Sequence, residues 1–296
     1  EYINTNIRIY KKEECLMIEL IGRKKENGLL KVFFKLYDLL FLMLGAYPIR
    51  CSLSYNEKEI DTSKWVIRYT TANHFIEQEA AFCDITAENI NSKSLIDIDN
   101  IHKQSIASIS YIISEYYEHV VTNHKIELIT HTIDGIFMHS IYYKELLDVK
   151  RIQNSKCSDS TYYENVERVF RTFFYYHRKY NCQILEELGT TKKKFYKTIS
   201  DTRNDFSHLL GKKKNRLISG KDMVYYIDLI FIAERLFVLD EMLKLKLNER
   251  MIQEYMYIMH DWIDELVNKR ADRIKSKRYT NIQKVNLIEK KLGLTE

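Results

Sequence analysis

The sequence contains very few of the residues that form tight turns. Its 296 residues include a single proline, Pro48, and only eight glycines. Because an all-β fold needs many tight turns, this scarcity argues against that fold class. The composition is otherwise ordinary for a globular protein, with 45% hydrophobic and 29% charged residues, which excludes a disordered polar chain.

Cysteine is also sparse, and its spacing has no pattern. The five cysteines are an odd number without CxxC or Cys/His spacing: Cys15, Cys51, Cys83, Cys157 and Cys182. This distribution argues against a disulfide framework and against a zinc site. We therefore predict no metal and no cofactor, and we expect the reducing environment of the cytoplasm.

The chain has no apolar run that could cross a membrane. The strongest apolar stretch, Leu29 to Leu44, is interrupted by Lys31, Lys35 and Asp38. It predicts an amphipathic or buried helix, and no signal peptide is visible. The chain begins with Glu1 rather than methionine, so we expect its natural N-terminus to be missing or processed.

The first hundred residues predict a small α+β region. Short, partly alternating segments suit strands at 6–10, 15–21, 49–55 and 65–69. A helix is predicted over about 27–44, where Gly45 and Pro48 follow as stop signals. Residues 84–100 are rich in Asn, Ser and Asp and predict a linker.

From about residue 101 the pattern becomes helical. Apolar residues recur every three or four positions at about 104–121, 124–146, 160–180, 192–208, 221–247 and 249–275. We predict a mainly α protein in which a small α+β domain (1–100) precedes a helical bundle (101–247) and a C-terminal helical extension (248–296). The 22 tyrosines are attributed to core and interface packing rather than to base stacking.

Positive charge is concentrated in one segment. The chain has a net charge of +5, whereas residues 192–216 contain nine basic and two acidic residues, a local +7 that leaves about −2 elsewhere. Such a local excess indicates a phosphate-rich partner. The candidate RNA-binding residues are Lys192, Lys193, Lys194, Lys197, Lys212, Lys213, Lys214 and Arg216.

The basic segment surrounds a string that starts at Arg203 and ends at His208, RNDFSH. Metal-independent RNA cleavage needs a base for the ribose 2′-hydroxyl, an acid for the departing 5′-oxygen and a cation for the phosphoryl charge. Histidine titrates near neutral pH, and the planar guanidinium of arginine matches two phosphate oxygens. We predict that Arg203 and His208 are catalytic and that Asn204 orients a phosphate or an imidazole.

Helical geometry separates the two catalytic candidates. Asn204 and His208 are four residues apart and share a face, whereas Arg203 lies about 140° from His208 around an ideal helix. Arg203 can reach the same space through its long side chain, through a helix end near Ser207, or from a second subunit. A homodimer provides two arginines and two histidines, so we expect a homodimer.

The spacing alone is not specific. Arg68–His74 and Arg171–His177 fit the same loose pattern, but Asn directly follows Arg203 alone, and lysines flank only this copy on both sides. The structural alternative for Arg203 and His208 is a cation pair at a helix end, which caps carbonyls or forms salt bridges with Asp201 and Asp205. Three histidines on one predicted helix are interpreted as core or interface polar residues rather than metal ligands: His124, His131 and His139.

The segment from about 104 to 247 resembles HEPN domains, in particular the HEPN domain of ApeA-like bacterial anti-phage proteins. The string RNDFSH resembles that family's Arg-Asn-x-x-x-His motif, and GKDMVYYIDLIFIAERLFVLDEMLKLKL is similar to the helix that follows it. The resemblance implies a helical bundle, a homodimer with a composite active site, and metal-independent endoribonuclease activity that leaves a 2′,3′-cyclic phosphate and a 5′-hydroxyl. It also implies catalytic roles for Arg203 and His208, a supporting role for Asn204, and residues 1–100 as the remnant of a sensing region.

Two functions follow as hypotheses. The first is a cytoplasmic RNA endonuclease of bacterial anti-phage defence or toxin type, with tRNA as a candidate substrate and a phage-derived trigger or an antitoxin as a further partner. The second is a HEPN-like binding or dimerisation module without catalysis, for example the partner of a nucleotidyltransferase antitoxin. Catalysis requires the two copies of His208 to converge on a basic cleft, whereas a scaffold does not.

Overall fold

Helices dominate the described chain, which in a computed structural model comprises residues 5–12, 15–22, 26–45, 54–56, 58–59, 81–98, 122–138, 162–179, 185, 190–208, 217–218 and 222–257. The elements in chain order are β1 (Thr5–Lys12), β2 (Cys15–Gly22), α1 (Glu26–Leu44), β3 (Ser54–Tyr55), β4 (Lys58–Glu59), α2 (Ser92–Asp97), α3 (Thr122–Met138), α4 (Tyr162–Lys179), α5 (Lys192–His208), α6 (Met223–Leu236), a π-helical turn (Phe237–Met242) and α7 (249–257). The predicted mainly helical character is confirmed, with a two-stranded antiparallel sheet near the N-terminus.

The hairpin of β1 and β2 has one apolar face. Antiparallel pairing places Ile7 opposite Leu20 and Tyr10 opposite Met17. Side chains alternate between the two faces of a strand. The Ile7 pair packs against the core and the Tyr10 pair faces solvent. The alternation that predicts strands in the sequence is therefore the pattern that buries one face of the hairpin.

Helix α1 is buried along most of its length, as its apolar sequence predicts. Leu39, Leu40 and Met43 have no exposed surface, and each such side chain contributes roughly 1.5–3 kcal/mol when it leaves water. The helix ends at Gly45, whose φ is 81° and whose N–H donates to Phe41 O at 2.8 Å. Glycine adopts this left-handed conformation without strain, so the predicted stop signal is confirmed.

A buried arginine joins the end of α1 to α6. Arg235 donates from Nε to Leu42 O at 2.9 Å and from Nη2 to Met43 O at 3.1 Å. These carbonyls lie in the last turn of α1, where carbonyls lack a following helical N–H. The guanidinium carbon is 4.2 Å from the centroid of the Phe82 ring. A Cβ on Gly45 would lie 2.6 Å from Arg235 Nη1, so this close approach also requires glycine.

The segment predicted as a linker, 84–100, is packed as far as residue 98, where its description ends. The side chain of Asn91 accepts hydrogen bonds from the first N–H groups of α2 and so caps that helix. Asn89 is buried and donates to the carbonyls of Asp84 and Lys246 at 3.0 Å each. The polar residues that suggest a linker in the sequence instead form caps and turns of an ordered segment.

Helices α3 to α6 pack as a bundle in which α3 and α4 each contact both α5 and α6. Aromatic side chains fill the space between α4, α5 and α6, with neighbouring ring centroids 5.0–6.4 Å apart: Phe170, Phe173, Phe174, Phe195, Tyr196 and Tyr226. Aromatic pairs at these distances stabilise a core beyond the area that they bury. In the bundle, the abundant aromatic residues serve packing. No helix of the described chain has the length and apolar character needed to span a membrane.

The helix predicted over 221–247 is interrupted. Helix α6 ends at Leu236, and the following π-helical turn brings Leu243 N–H to Val238 O, five residues back, at 2.9 Å. Lys244 then adopts a φ of 52°, which ends the helix. The helix predicted over 192–208 coincides with α5. The helix predicted over 104–121 and the strand predicted over 65–69 lie outside the described residues.

Candidate functional site

Arg203 is held in place by contacts from three helices. Its Nη2 lies 3.1 Å from Oδ2 of Asp134 on α3, and its Nη1 donates to Asn204 Oδ1 at 3.1 Å. The guanidinium carbon is 5.0 Å from the centroid of the Tyr162 ring on α4. The Arg203 side chain remains 21% exposed. The arginine therefore has a fixed position and keeps access to solvent.

Asp134 binds through both carboxylate oxygens. Oδ1 accepts from Asn165 Nδ2 at 3.0 Å, and Oδ2 accepts from Arg203. Charge-assisted hydrogen bonds of this kind fix geometry better than neutral ones. From the sequence, Asp201 and Asp205 are the alternative partners of Arg203, but the carboxylate that binds it is 69 residues away in the chain.

The next turn of α5 contacts a histidine of α3. Ser207 Oγ lies 3.1 Å from His131 Nε2. Ser207 follows Arg203 by four residues and His131 precedes Asp134 by three, so the two pairs occupy one face of each helix. They lie about one helical turn, roughly 5 Å, apart along the helices. The site thus contains an arginine and a histidine from the same chain.

His131 is half-buried in this contact. Burial lowers the pKa of His131, and the positive charge of Arg203 lowers it further. A lowered pKa leaves the imidazole neutral at pH 7, with one ring nitrogen able to accept a proton.

Asn204 and His208 occupy the neighbouring face of α5. Helix α5 is continuous through His208, so the predicted angular separation of His208 from Arg203 holds for the backbone. Asn204 is partly exposed, and its Oδ1 accepts a hydrogen bond from Arg203 Nη1. The side chain of His208 lies outside the described part of the chain.

The predicted RNA-binding lysines of α5 are exposed: Lys192, Lys193, Lys194 and Lys197. Lys193 and Lys197 share a face with Asn204 and His208, because their spacings of four, eleven and fifteen residues are near multiples of the helical repeat. Lys192 lies with its Nζ 5.4 Å from the centroid of the Phe174 ring. The remaining predicted RNA-binding residues lie outside the described chain: Lys212, Lys213, Lys214 and Arg216.

The competing pair Arg171–His177 does not form a similar site. Arg171 is exposed, whereas His177 is buried and stacks on Phe173 with ring centroids 5.7 Å apart. The two side chains therefore have different environments. The other competing pair, Arg68–His74, lies outside the described residues.

Most of the residues that surround Arg203 were not predicted from the sequence. They are His131, Asp134, Tyr162, Asn165 and Ser207. The sequence favours a core or interface role for His131, although Asp134 follows it by three positions, the spacing of neighbours on a helix face. That spacing could have identified the pair, but not its contact with α5. Of the other two histidines, the side chain of His124 and the whole of His139 lie outside the described chain.

Helix α3 also contacts a buried acid, Glu234 of α6, through Thr132. Thr132 Oγ1 is 2.6 Å from both Glu234 Oε1 and Ile129 O. The Thr132 hydroxyl is within hydrogen-bond distance of both oxygens, and its contact with Glu234 lowers the pKa of that acid. Burial acts in the opposite direction and is the larger effect, so the pKa of Glu234 lies well above its ordinary value.

The described residues also contain a cavity, but they contain no cluster of metal ligands. Among the described residues, no group of three or more His, Cys, Asp or Glu side chains is placed to hold a metal ion. A cavity of about 220 Å³ lies away from Arg203, and its lining has no acidic or basic side chain: Asn6, Ile7, Val32, Ile90, Asn91, Ser92 and Leu95. Of the two places, only the Arg203 site offers charge and acid–base groups together.

Comparison with protein-family models, curated proteins and solved structures gives no match for this chain.

Proposed function

We propose that this protein is a metal-independent RNA endonuclease of HEPN type, from a bacterial anti-phage defence or toxin system, which cuts RNA at a site containing Arg203 and His208. The observation that carries the proposal is the fixed guanidinium of Arg203, which Asp134 holds near the C-terminal end of a lysine-rich helix, about one helical turn from His131. A preorganised cation stabilises the charge that develops on phosphoryl oxygens without reorganising during the reaction.

Arg203 also keeps hydrogen-bond donors for a ligand. Its Nη1 and Nη2 each use one N–H group, toward Asn204 and Asp134, and each keeps a second one. The contact with Asp134 occupies one edge of the guanidinium and leaves other N–H groups for the anion.

The exposed lysines of α5 support a path for the RNA backbone. Lys193 and Lys197 lie on the same face of α5 as His208 and precede it by about 16–23 Å along the axis, at roughly 1.5 Å per residue. Positive side chains along such a line bind successive phosphates and make binding dependent on salt. The proposed RNA strand runs along this face and reaches the cleavage site at the C-terminal end of α5.

A homodimer completes the proposal. Arg203 faces α3, and His208 lies on a different face of α5, so a second subunit brings further catalytic groups to the same phosphate. Mixing two inactive variants, Arg203→Ala and His208→Ala, tests this directly. A composite site recovers part of the wild-type activity in mixed dimers, whereas no recovery contradicts shared sites.

The main experiment measures RNA cleavage by the full chain and by His208→Ala. We expect loss of cleavage in a variant that stays folded and dimeric, products with a 2′,3′-cyclic phosphate and a 5′-hydroxyl, and full activity of the wild-type protein in EDTA. Arg171→Ala is the matched control, because Arg171 belongs to a competing Arg/His pair and is exposed. A folded His208→Ala variant that cuts as fast as wild type rules out the proposed site.

A second experiment tests the lysine path. The double variant Lys193→Gln/Lys197→Gln is compared with Lys192→Gln/Lys194→Gln, which removes the same charge from other faces of α5. We expect the first pair to weaken RNA binding more and to reduce its salt dependence by a slope of about two, because each substitution leaves one phosphate without its lysine. Equal effects of both pairs would show that only the total charge matters.

One observation favours the alternative of a HEPN-like module without catalysis. The charge of Arg203 is already balanced by Asp134 inside the bundle, as in a structural ion pair. Such a protein would dimerise or bind a partner such as a nucleotidyltransferase antitoxin, and would leave RNA intact. Dimerisation without cleavage of tRNA or of mixed single-stranded RNA supports this second function.

A further inference from the structure

We propose that His131 is the general base of this site, with its Nε2 taking the proton of the ribose 2′-hydroxyl. The inference rests on the proposed endonuclease function and assigns a role that the Arg203–His208 motif does not contain. It places the arginine and the base of one reaction in the same protomer.

The geometry of the α3–α5 contact carries the proposal. His131 Nε2 lies 3.1 Å from a hydroxyl oxygen, that of Ser207, one helical turn from the guanidinium of Arg203. The nitrogen that the reaction needs is therefore already at hydrogen-bond distance from a hydroxyl. A rotation of Ser207 about χ1 moves its hydroxyl aside, and a ribose hydroxyl takes the same position relative to Nε2.

The surroundings of His131 keep it unprotonated, as a base requires. Burial and the charge of Arg203 on α5 lower its pKa, while Glu127 and Asp134 on its own helix act in the opposite direction. The titratable side chains of α4 and α6 that face α3 interact with groups other than His131. The Tyr162 hydroxyl of α4 donates to Thr130 O. On α6, Glu234 contacts Thr132, and Asp228 interacts with the charge of Lys125 on α3.

Protons and bonds balance in the proposed step. The 2′-oxygen gives its proton to His131 and bonds to phosphorus, and the bond from phosphorus to the 5′-oxygen breaks. The departing 5′-oxygen receives a proton from an acid, for which His208 is the assigned group. The products are a 2′,3′-cyclic phosphate and a 5′-hydroxyl, and proton exchange with water restores both histidines.

The test is the pH dependence of single-turnover RNA cleavage by wild type, His131→Gln and His208→Ala. The acidic limb of the wild-type profile should have its midpoint below pH 6.5, since the pKa of His131 is lowered from its ordinary value of 6.5. Rates should fall again at higher pH, where the general acid has lost its proton. His131→Gln keeps a hydrogen-bonding group of similar length beside Ser207 but cannot take the proton. We expect a loss of about 10²-fold or more, the usual size of a general-base contribution, and no acidic limb in the residual rate.

Ser207→Ala is the matched control, because it removes the same hydrogen bond from the opposite side. A hydroxyl that donates to Nε2 favours the neutral imidazole, so its removal should move the acidic limb to higher pH and change the maximal rate by less than about tenfold. Thermal unfolding of both variants confirms that they remain folded.

The outcomes separate this inference from the proposed function. Wild-type protein that leaves RNA intact refutes the endonuclease itself. Wild-type cleavage that His131→Gln reproduces within about threefold, with the same pH profile, refutes His131 as the base and leaves the endonuclease standing. A slow His131→Gln variant that retains the acidic limb also refutes it, because the limb then belongs to another group.

Discussion

The ion pair between Arg203 and Asp134 determines the geometry of the candidate site, and its strength can be measured. A double-mutant cycle uses Asp134→Asn, Arg203→Met and the combination of both. Asparagine at position 134 keeps the oxygen that accepts from Asn165. The free energy of unfolding of the four proteins then isolates the coupling between the two charges.

The expected coupling follows from the distance and exposure of the pair. At 3.1 Å and an effective dielectric constant of about 20, Coulomb's law gives an attraction of about 5 kcal/mol. Desolvation of both groups and ordering of the long side chain offset most of it. Hydrogen bonds to charged groups contribute about 1.5–3 kcal/mol in mutational series. Since each side chain is about one fifth exposed, we expect a coupling of about 1–2 kcal/mol.

Urea denaturation at pH 7 measures these free energies, and the exposed pair Lys246–Glu88 provides the control. Its atoms are also 3.1 Å apart, but its side chains are 71% and 62% exposed. We expect a coupling below about 0.5 kcal/mol there. If the Arg203–Asp134 coupling is no larger than this control, the pair does not hold Arg203 in solution and the argument for a preorganised site fails.

Two further predictions concern the buried groups outside the site. Because burial raises the pKa of Glu234, the folded state keeps a proton that the unfolded state loses above about pH 4.5, so Glu234 lowers stability as pH rises. Glu234→Gln removes this effect, and its unfolding free energy relative to wild type should increase from pH 5 to pH 8; parallel pH profiles would show that Glu234 is not held protonated. Gly45→Ala should lower the free energy of unfolding by at least about 1–2 kcal/mol, because alanine is strained at positive φ and its Cβ displaces Arg235. The helical Gly28→Ala is its control and should be neutral or stabilising; equal effects of both changes would contradict the close approach.

The long helices could be predicted from the sequence because their apolar residues recur at helical spacing, whereas the short α2 lies in the segment predicted as a linker. Helix α5 matches its predicted span, and the end of α1 matches the position of Gly45. The π-helical turn after Leu236 could not be predicted, since the apolar periodicity continues through it. The polar residues at 84–98 led to the prediction of a linker, because helix caps, turns and linkers all contain Asn, Ser and Asp.

The site was predictable only in part. Arg203 could be singled out by its neighbours in the sequence, but its contacts with Asp134 and Tyr162, and its proximity to His131, depend on which faces of three helices meet. That choice is made by packing between residues far apart in the chain, such as the contact of Phe195 on α5 with Phe170 on α4. No spacing along one helix contains this information.

The cap that Arg235 provides for α1 has a consequence for the synthesis of the protein. Leu42 and Arg235 are 193 residues apart in the chain, so at roughly 5–20 residues per second the ribosome needs about 10–40 s to make the second after the first. During that interval the apolar surface of α1 has emerged without the helices that cover it. The growing chain is therefore most prone to aggregation before α6 is made, and a chaperone that holds α1 during this period should raise the yield of folded protein.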